Sequence, residues 1–126
     1  MVTPAKPSNT CCFVPLQVAQ TCQLAVQRMD FFQGQTSETN LQYPTVDPAP
    51  PADPATSTPE LCAVLLDEQA PIFRRYRAIF ALRNRGGRDA VQALGLALQG
   101  CSALLKHEVA YVLGQMSDPQ AVEYLR

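Results

Sequence analysis

The chain has 126 residues, a formal charge of −1 and 47% apolar residues, enough material for one small core. Neither end carries a block of like charge, which argues against a nucleic-acid-binding arm or a patch for an anionic membrane. No apolar run approaches the roughly 20 residues that cross a bilayer, and the opening MVTPAKPSNT lacks the apolar segment of a secretory signal, so an intracellular, cytoplasmic protein is expected. Five cysteines, Cys11, Cys12, Cys22, Cys62 and Cys101, form an odd set without CxxC spacing. They indicate neither a disulfide framework nor a zinc module, and free, mostly inert thiols are expected.

In chain order, the first predicted helix runs from about Leu16 to Phe32. Val18, Cys22, Ala25 and Met29 recur there at helical spacing, with Leu24, Val26 and the Phe31–Phe32 pair widening the apolar side. Then YPTVDPAPPADPATSTP repeatedly places proline where neither helix nor central strand continues, so it reads as an extended linker of polyproline character. Residues 1–32 are thus expected to be an N-terminal segment ending in one helix, 33–58 a proline-rich linker, and 59–126 the packed part.

Thr58-Pro59-Glu60 supplies a capping residue, a proline in the first helical position and an acid near the positive helix end, predicting a helix PELCAVLLD. Pro71 opens IFRRYRAIFALRNR, with Ile72, Tyr76, Ile79 and Phe80 on one face and Gly86-Gly87 as the stop. Residues 88–99 form a third element after the linker, ended by Gly100. Ser102 is placed to cap a fourth, SALLKHEVAYVLGQM, whose core stripe is Leu105, Val109, Val112, Leu113 and Met116, and Asp118-Pro119 starts a fifth.

These helices repeat. Residues 75–94 lie without a gap over residues 106–125, matching Leu82 with Leu113, Ala90 with Ala121, Val91 with Val122, Leu94 with Leu125 and Phe80 with Tyr111. The expected fold is therefore all-α, an incomplete solenoid of HEAT-like helical hairpins joined to a long proline-rich linker. Since about three stacked units are usually needed for stability, the chain alone is expected to be marginal.

The one histidine, His107, is followed directly by Glu108. Neutral imidazole and carboxylate are both good ligands for iron, manganese or zinc. Adjacent helical residues point about 100° apart, so the two converge on a metal only where the helix approaches it near its N-terminal turn. Ala103, Ala110 and Gly114 lie near the His107 side and are small, leaving room between helices. The plain alternative is a pair of solvated side chains, and two donors fall short of the three that a facial iron site uses.

SALLKHEVAYVLGQM and FRRYRAIFALRNRGGRDAVQAL, with VAQTCQLAVQRMDFF and YPTVDPAPPA upstream, resemble the deoxyhypusine hydroxylase family over about residues 17–126. That resemblance implies a two-lobed superhelix of HEAT-like repeats facing a di-iron, Fe(II)-loaded centre built from four His-Glu pairs. His107 and Glu108 match the first pair of the second lobe as metal ligands. Glu108 is also the candidate catalytic carboxylate, either binding iron or attracting the cationic substrate chain. The implied reaction is a monooxygenation. Dioxygen hydroxylates the deoxyhypusine side chain of a translation initiation factor to give hypusine, with no nucleic-acid or membrane partner. The other three pairs are missing from this sequence, and Tyr76 and Arg77 stand at the repeat position equivalent to His107 and Glu108. At most a partial site is expected, and a non-catalytic HEAT-type interaction fragment is the alternative.

Three other features have ordinary readings. The cluster Arg74, Arg75, Arg77, Arg83, Arg85 and Arg88 reads as charges on exposed helix faces rather than a site for an acidic partner. The proline tract reads as a spacer rather than a ligand for an aromatic groove. Tyr111, one turn from His107, either orients the imidazole or packs within the repeat.

Overall fold

In the computed structural model the described residues are 14–33, 42–43 and 46–126. Cys11, Cys12 and the first part of the linker lie outside them. Within the described residues every regular element is helical, as expected.

Helix α1 spans Leu16–Phe31. The expected stripe does not bury, because Val18, Cys22, Ala25 and Met29 all face outward and nothing among the described residues covers them. The packed side is instead Leu24, flanked by half-buried Gln20 and Gln27. Gln27 Oε1 accepts from the Phe73 N–H at 2.9 Å, satisfying one of the orphan donors at the start of the next hairpin. The Phe31 and Phe73 rings meet with centroids 5.3 Å apart.

Helix α2, Thr58–Leu66, starts one residue earlier than the sequence suggests, since the cap is Ser57 and not Thr58. Ser57 and Glu60 close a reciprocal capping box, the Ser57 N–H donating to Glu60 Oε2 at 2.9 Å and the Glu60 N–H to Ser57 Oγ at 3.4 Å. Helix α3, Ile72–Arg85, ends where Gly86 and Gly87 adopt φ of 65° and 86°, left-handed backbone that a side chain resists. Helix α4, Arg88–Gly100, returns against it. Helix α5, Ala103–Met116, packs on α4 and α3. A 3-10 turn, Pro119–Ala121, capped by Asp118 Oδ1 accepting from the Gln120 N–H at 2.9 Å, leads into α6, Val122–Leu125.

The core sits between these helices. Leu61 and Leu65 of α2, Tyr76, Ile79, Phe80 and Leu82 of α3, Val91, Leu94 and Ala97 of α4, and Leu105, Val109, Val112 and Leu113 of α5 are all buried, each large side chain contributing about 1.5–3 kcal/mol of transfer free energy. The repeat is visible in this packing but imperfect. Leu82 and Leu113, and Ala90 and Ala121, are buried alike, whereas Val91 and Leu94 are buried and their counterparts Val122 and Leu125 are exposed. Helix α4 is enclosed by α2, α3 and α5, whereas no described element covers Val122 and Leu125. Phe80 is likewise buried while Tyr111 is 51% exposed, so Tyr111 does not pack within the repeat.

The arginine cluster is only in part a solvated face, since Arg74, Arg85 and Arg88 are exposed and Arg77 is half-buried. Arg75 and Arg83 are buried; Arg75 Nε donates to the Leu65 carbonyl at 2.9 Å, at the end of α2, and its Nη2 to Cys101 Sγ at 3.3 Å. Other arginines hold the connector, residues 46–57, along α3. Arg28 Nη1 donates to the carbonyls of Asp47 and Pro48, Arg77 to those of Pro50 and Pro51, and Arg85 to those of Pro54 and Thr56. The Ala52 N–H returns a bond to the Arg77 carbonyl at 3.1 Å, and Ala49 is fully buried. The proline tract is irregular, as expected, but it is seated on the helices rather than spanning open space.

Candidate functional site

Helix α5 carries the candidate pair one turn inside its start. Ser102 occupies the capping position with extended backbone, yet its hydroxyl makes no capping bond, and its buried Oγ has no partner. The helix begins instead through the Lys106 N–H donating to the Ser102 carbonyl at 2.9 Å.

His107 is exposed and Glu108 half-buried. The core stripe Leu105, Val109, Val112 and Leu113 points into the hairpins, which turns His107 outward and leaves Glu108 at the boundary. Neither side chain makes a hydrogen bond to the described residues. Burial pushes the Glu108 carboxyl above its ordinary value, opposed by the neighbouring His107; the Asp47 charge adds to the rise and Arg83 reduces it. A half-buried carboxylate held back by desolvation and without a hydrogen bond to the described residues suits a cation. That donor chemistry, one imidazole nitrogen and one carboxylate without hydrogen-bond partners among the described residues, fits a first-row divalent metal.

The small residues beside the pair open onto the surface rather than into a space between helices, with Ala110 half-buried. Ala103 and Gly114 are exposed, and a methyl group added at Gly114 would meet nothing within 4 Å. Tyr111 makes no hydrogen bond to His107 among the described residues and does not orient it. No group of three or more histidine, cysteine, aspartate or glutamate residues placed to hold a metal occurs among the described residues. The two expected ligands are side by side, and the described residues add no third donor.

Three further residues act on the pair: the repeat offset placed Tyr76 but not its burial, Arg83 was grouped with exposed arginines, and Asp47 was missed. Tyr76, the repeat counterpart of His107, is buried beneath α5. Its hydroxyl is pushed well above the usual tyrosine range by burial and then by the Glu108 charge. Arg83 is wholly buried, its Nη1 and Nη2 donating to Asp47 Oδ1 and Oδ2 at 2.9 and 2.6 Å. The offset between repeats already sets Tyr76 one unit before His107, and Asp47 is the only charged residue in YPTVDPAPPA, a signal that it faces something. A groove of about 530 Å³ between Pro51–Pro54 and Arg77, Ala81, Asn84 and Arg85 offers no free cation, since both its arginines are committed to connector carbonyls.

Comparison with known proteins agrees with this architecture. The PBS lyase HEAT-like repeat family matches residues 74–100 and 105–126, the two units whose helices superpose in sequence. Deoxyhypusine hydroxylase of Gallus gallus is 55% identical over 111 residues, covering 87% of this chain and 37% of that protein. The Homo sapiens enzyme is 50% identical over 111 residues, covering 87% and 36%. The solved structure of human deoxyhypusine hydroxylase in complex with glycerol matches with a TM-score of 0.80 at 49% identity, over 87% of this chain and 38% of that one. The chain thus spans little more than a third of the length of the curated relatives it matches. Half-identical sequence across most of the chain and a superposable helical-repeat backbone lead to one conclusion: the chain belongs to the deoxyhypusine hydroxylase family.

Proposed function

We propose that this chain contributes one His-Glu pair, His107 and Glu108, to iron-dependent hydroxylation of a deoxyhypusine side chain on a translation initiation factor. The observation that carries the reading is the pair itself: two ligand-type side chains on one helical turn, neither hydrogen-bonded to the described residues, in a chain about half-identical to named deoxyhypusine hydroxylases. When bound, iron supplies the activation of dioxygen for the monooxygenation. His107 offers a neutral nitrogen. Glu108 offers a carboxylate whose half-buried charge favours either the metal or the cationic amine of the substrate.

Because two donors cannot complete a di-iron shell, the remaining ligands come from outside residues 14–33, 42–43 and 46–126. In this reading, residues 1–32 end a first lobe, 33–58 connect and 59–126 begin a second. The setting is cytoplasmic, where a translation factor works, and no helix among the described residues is long and apolar enough to cross a membrane. Metal analysis of the purified chain tests the proposal. Fewer than two irons per chain and no hydroxylation of a deoxyhypusine-bearing factor are expected, with weak divalent-cation binding lost in His107→Ala. Two stoichiometric irons with turnover would refute the partial site.

A second reading follows from the absence of a third donor among the described residues. The chain would then be a non-catalytic partner of the full enzyme or its substrate, and pull-down of either, unchanged by His107→Ala, would favour it.

A further inference from the structure

We propose that Thr58 is a phosphorylation site for a proline-directed protein kinase, and that Arg85 receives the phosphate and fastens the end of the connector to α3.

Thr58 is a hydroxyl followed directly by proline, Pro59. Proline in that place brings no N–H, so it fits an apolar kinase subsite without an acceptor, from which other residues are excluded by the bare donor they would carry in. Among the described residues no other serine or threonine precedes a proline; Thr3-Pro4 is the second such pair in the chain. Thr58 is half-buried at the first position of α2, but the chain around it is open. Pro54, Ala55, Ser57, Pro59 and Glu60 are exposed, and Ser57 has extended backbone, with φ −70° and ψ 158°. A kinase takes its substrate extended, so only the first turn of α2 must open. That turn is lightly closed, because Pro59 supplies no N–H; the Ser57–Glu60 capping box and the Leu61 N–H on the Ser57 carbonyl at 3.0 Å hold it.

A receiver for the phosphate is already in contact with the acceptor atom. Arg85, the last residue of α3, donates from Nη1 to Thr58 Oγ1 at 2.9 Å, and from Nη2 to the carbonyls of Pro54, at 3.2 Å, and Thr56. Transfer moves the γ-phosphoryl of ATP to Thr58 Oγ1. The bond from phosphorus to the bridging oxygen breaks, ADP leaves, the new P–O bond forms and the hydroxyl proton passes to solvent. A neutral oxygen beside Nη1 thereby becomes an ester with about −1.5 to −2 charges and three strong acceptors, which Arg85 meets with charge-assisted bonds roughly twice as strong as a neutral one. Glu60, two residues on, keeps Oε2 on the Ser57 N–H and hydroxyl, so it does not compete for the guanidinium. Modification therefore tightens the strap at this end rather than loosening it.

The test uses the full folded chain with ATP and a proline-directed kinase. Peptide mass spectrometry places the phosphate, amide exchange reads the connector, and circular dichroism checks that each variant is folded. Phosphate is expected on Thr58, absent in Thr58→Ala and reduced about tenfold in Pro59→Ala. The amides of Ala55 and Thr56, bonded to the Asp53 carboxylate and carbonyl, should exchange about fivefold more slowly in the phosphorylated chain. Arg85→Gln should still be phosphorylated but lose that slowing. If Arg85→Gln does not fold, Arg85→Lys decides, since a point charge in place of a fork should lose most of the slowing. No phosphate on Thr58, phosphate on Thr3 alone, or labelling of Thr58 only after unfolding in urea overturns the site. Equal labelling of Pro59→Ala overturns the proline direction. Unchanged or faster exchange on phosphorylation, or equal slowing in the Arg85 variant, overturns Arg85 as the receiver.

Discussion

Two glycines in the middle of helices should respond in opposite directions to the same substitution. Alanine is preferred over glycine in a helix interior by about 1 kcal/mol. Gly114 on α5 is exposed, and an added methyl group meets nothing within 4 Å, so Gly114→Ala should stabilise by close to that amount. Gly95 on α4 is buried, and its added methyl carbon would stand 2.4 Å from Tyr124 Cδ1 and 2.5 Å from Cγ. Cγ is the root of the ring, so a small swing does not clear the clash, and Tyr124 must leave its rotamer or α6 must lift. Overpacking of this kind costs about 1–3 kcal/mol. Taking the upper part of that range and subtracting the helix gain, Gly95→Ala should destabilise by about 1–2 kcal/mol, a shift in Tm of about 4–8 °C per kcal/mol for a domain of this size. Urea unfolding followed by circular dichroism measures both variants, and Tyr124→Ala supplies the cycle, in which Gly95→Ala should turn from destabilising to stabilising. Equal stabilisation by both glycine substitutions in the wild-type background would mean that Tyr124 does not rest on Gly95.

The capping box of α2 makes a pH prediction. Hydrogen bonds from the Ser57 backbone and hydroxyl hold the Glu60 carboxyl below its usual 4.5, so the folded state favours the carboxylate. Its contribution is complete above the unfolded value and is lost as pH falls below about 4.5 and through the lowered folded value. Glu60→Gln keeps an acceptor but does not titrate, and should flatten that part of the stability profile; an identical slope would refute the assignment. Arg77→Ala removes two donors to connector carbonyls and the cation over the Phe31 ring, and should raise amide exchange around Ala52 while leaving Val109 and Leu113 protected. Uniform loss of protection would show that the connector is part of the global fold rather than a separately releasable strap.

Much of this fold is legible in the sequence because its signals are local. Gly86-Gly87, Pro71 and Asp118-Pro119 act within a few residues of where they stand, and the helices begin and end beside them. The exceptions are one local signal masked by another and several that depend on distant partners. Ser57 rather than Thr58 caps α2 because Glu60 sits three residues beyond Ser57, a spacing present in the sequence but overshadowed by Pro59. The stripe Val18, Cys22, Ala25 and Met29 has the right period and the wrong side, since periodicity shows that a face exists and not which face finds cover. Arg83 illustrates the deepest gap. Among six clustered arginines nothing local separates a buried ion pair from a solvated charge, and its carboxylate partner lies 36 residues away in a proline-rich stretch. His107 and Glu108 stand out by residue type and Tyr76 by its place in the repeat, whereas Asp47 and Arg83 come into view only through packing.

The way the connector is held has its own consequence. Prolines supply carbonyl oxygens but no N–H, so a tract rich in them is a line of acceptors with few donors. Arginine is the reverse, five donors and no acceptor. Four of the six connector carbonyls gripped by Arg28, Arg77 and Arg85 belong to proline. At these six oxygens the helices read backbone shape and not side-chain identity, whereas Asp47 is held by its carboxylate and Ala49 is fully buried. Such a tract can drift in composition while it stays extended, whereas the guanidinium groups opposite it cannot be exchanged for a single-pointed ammonium without leaving oxygens bare.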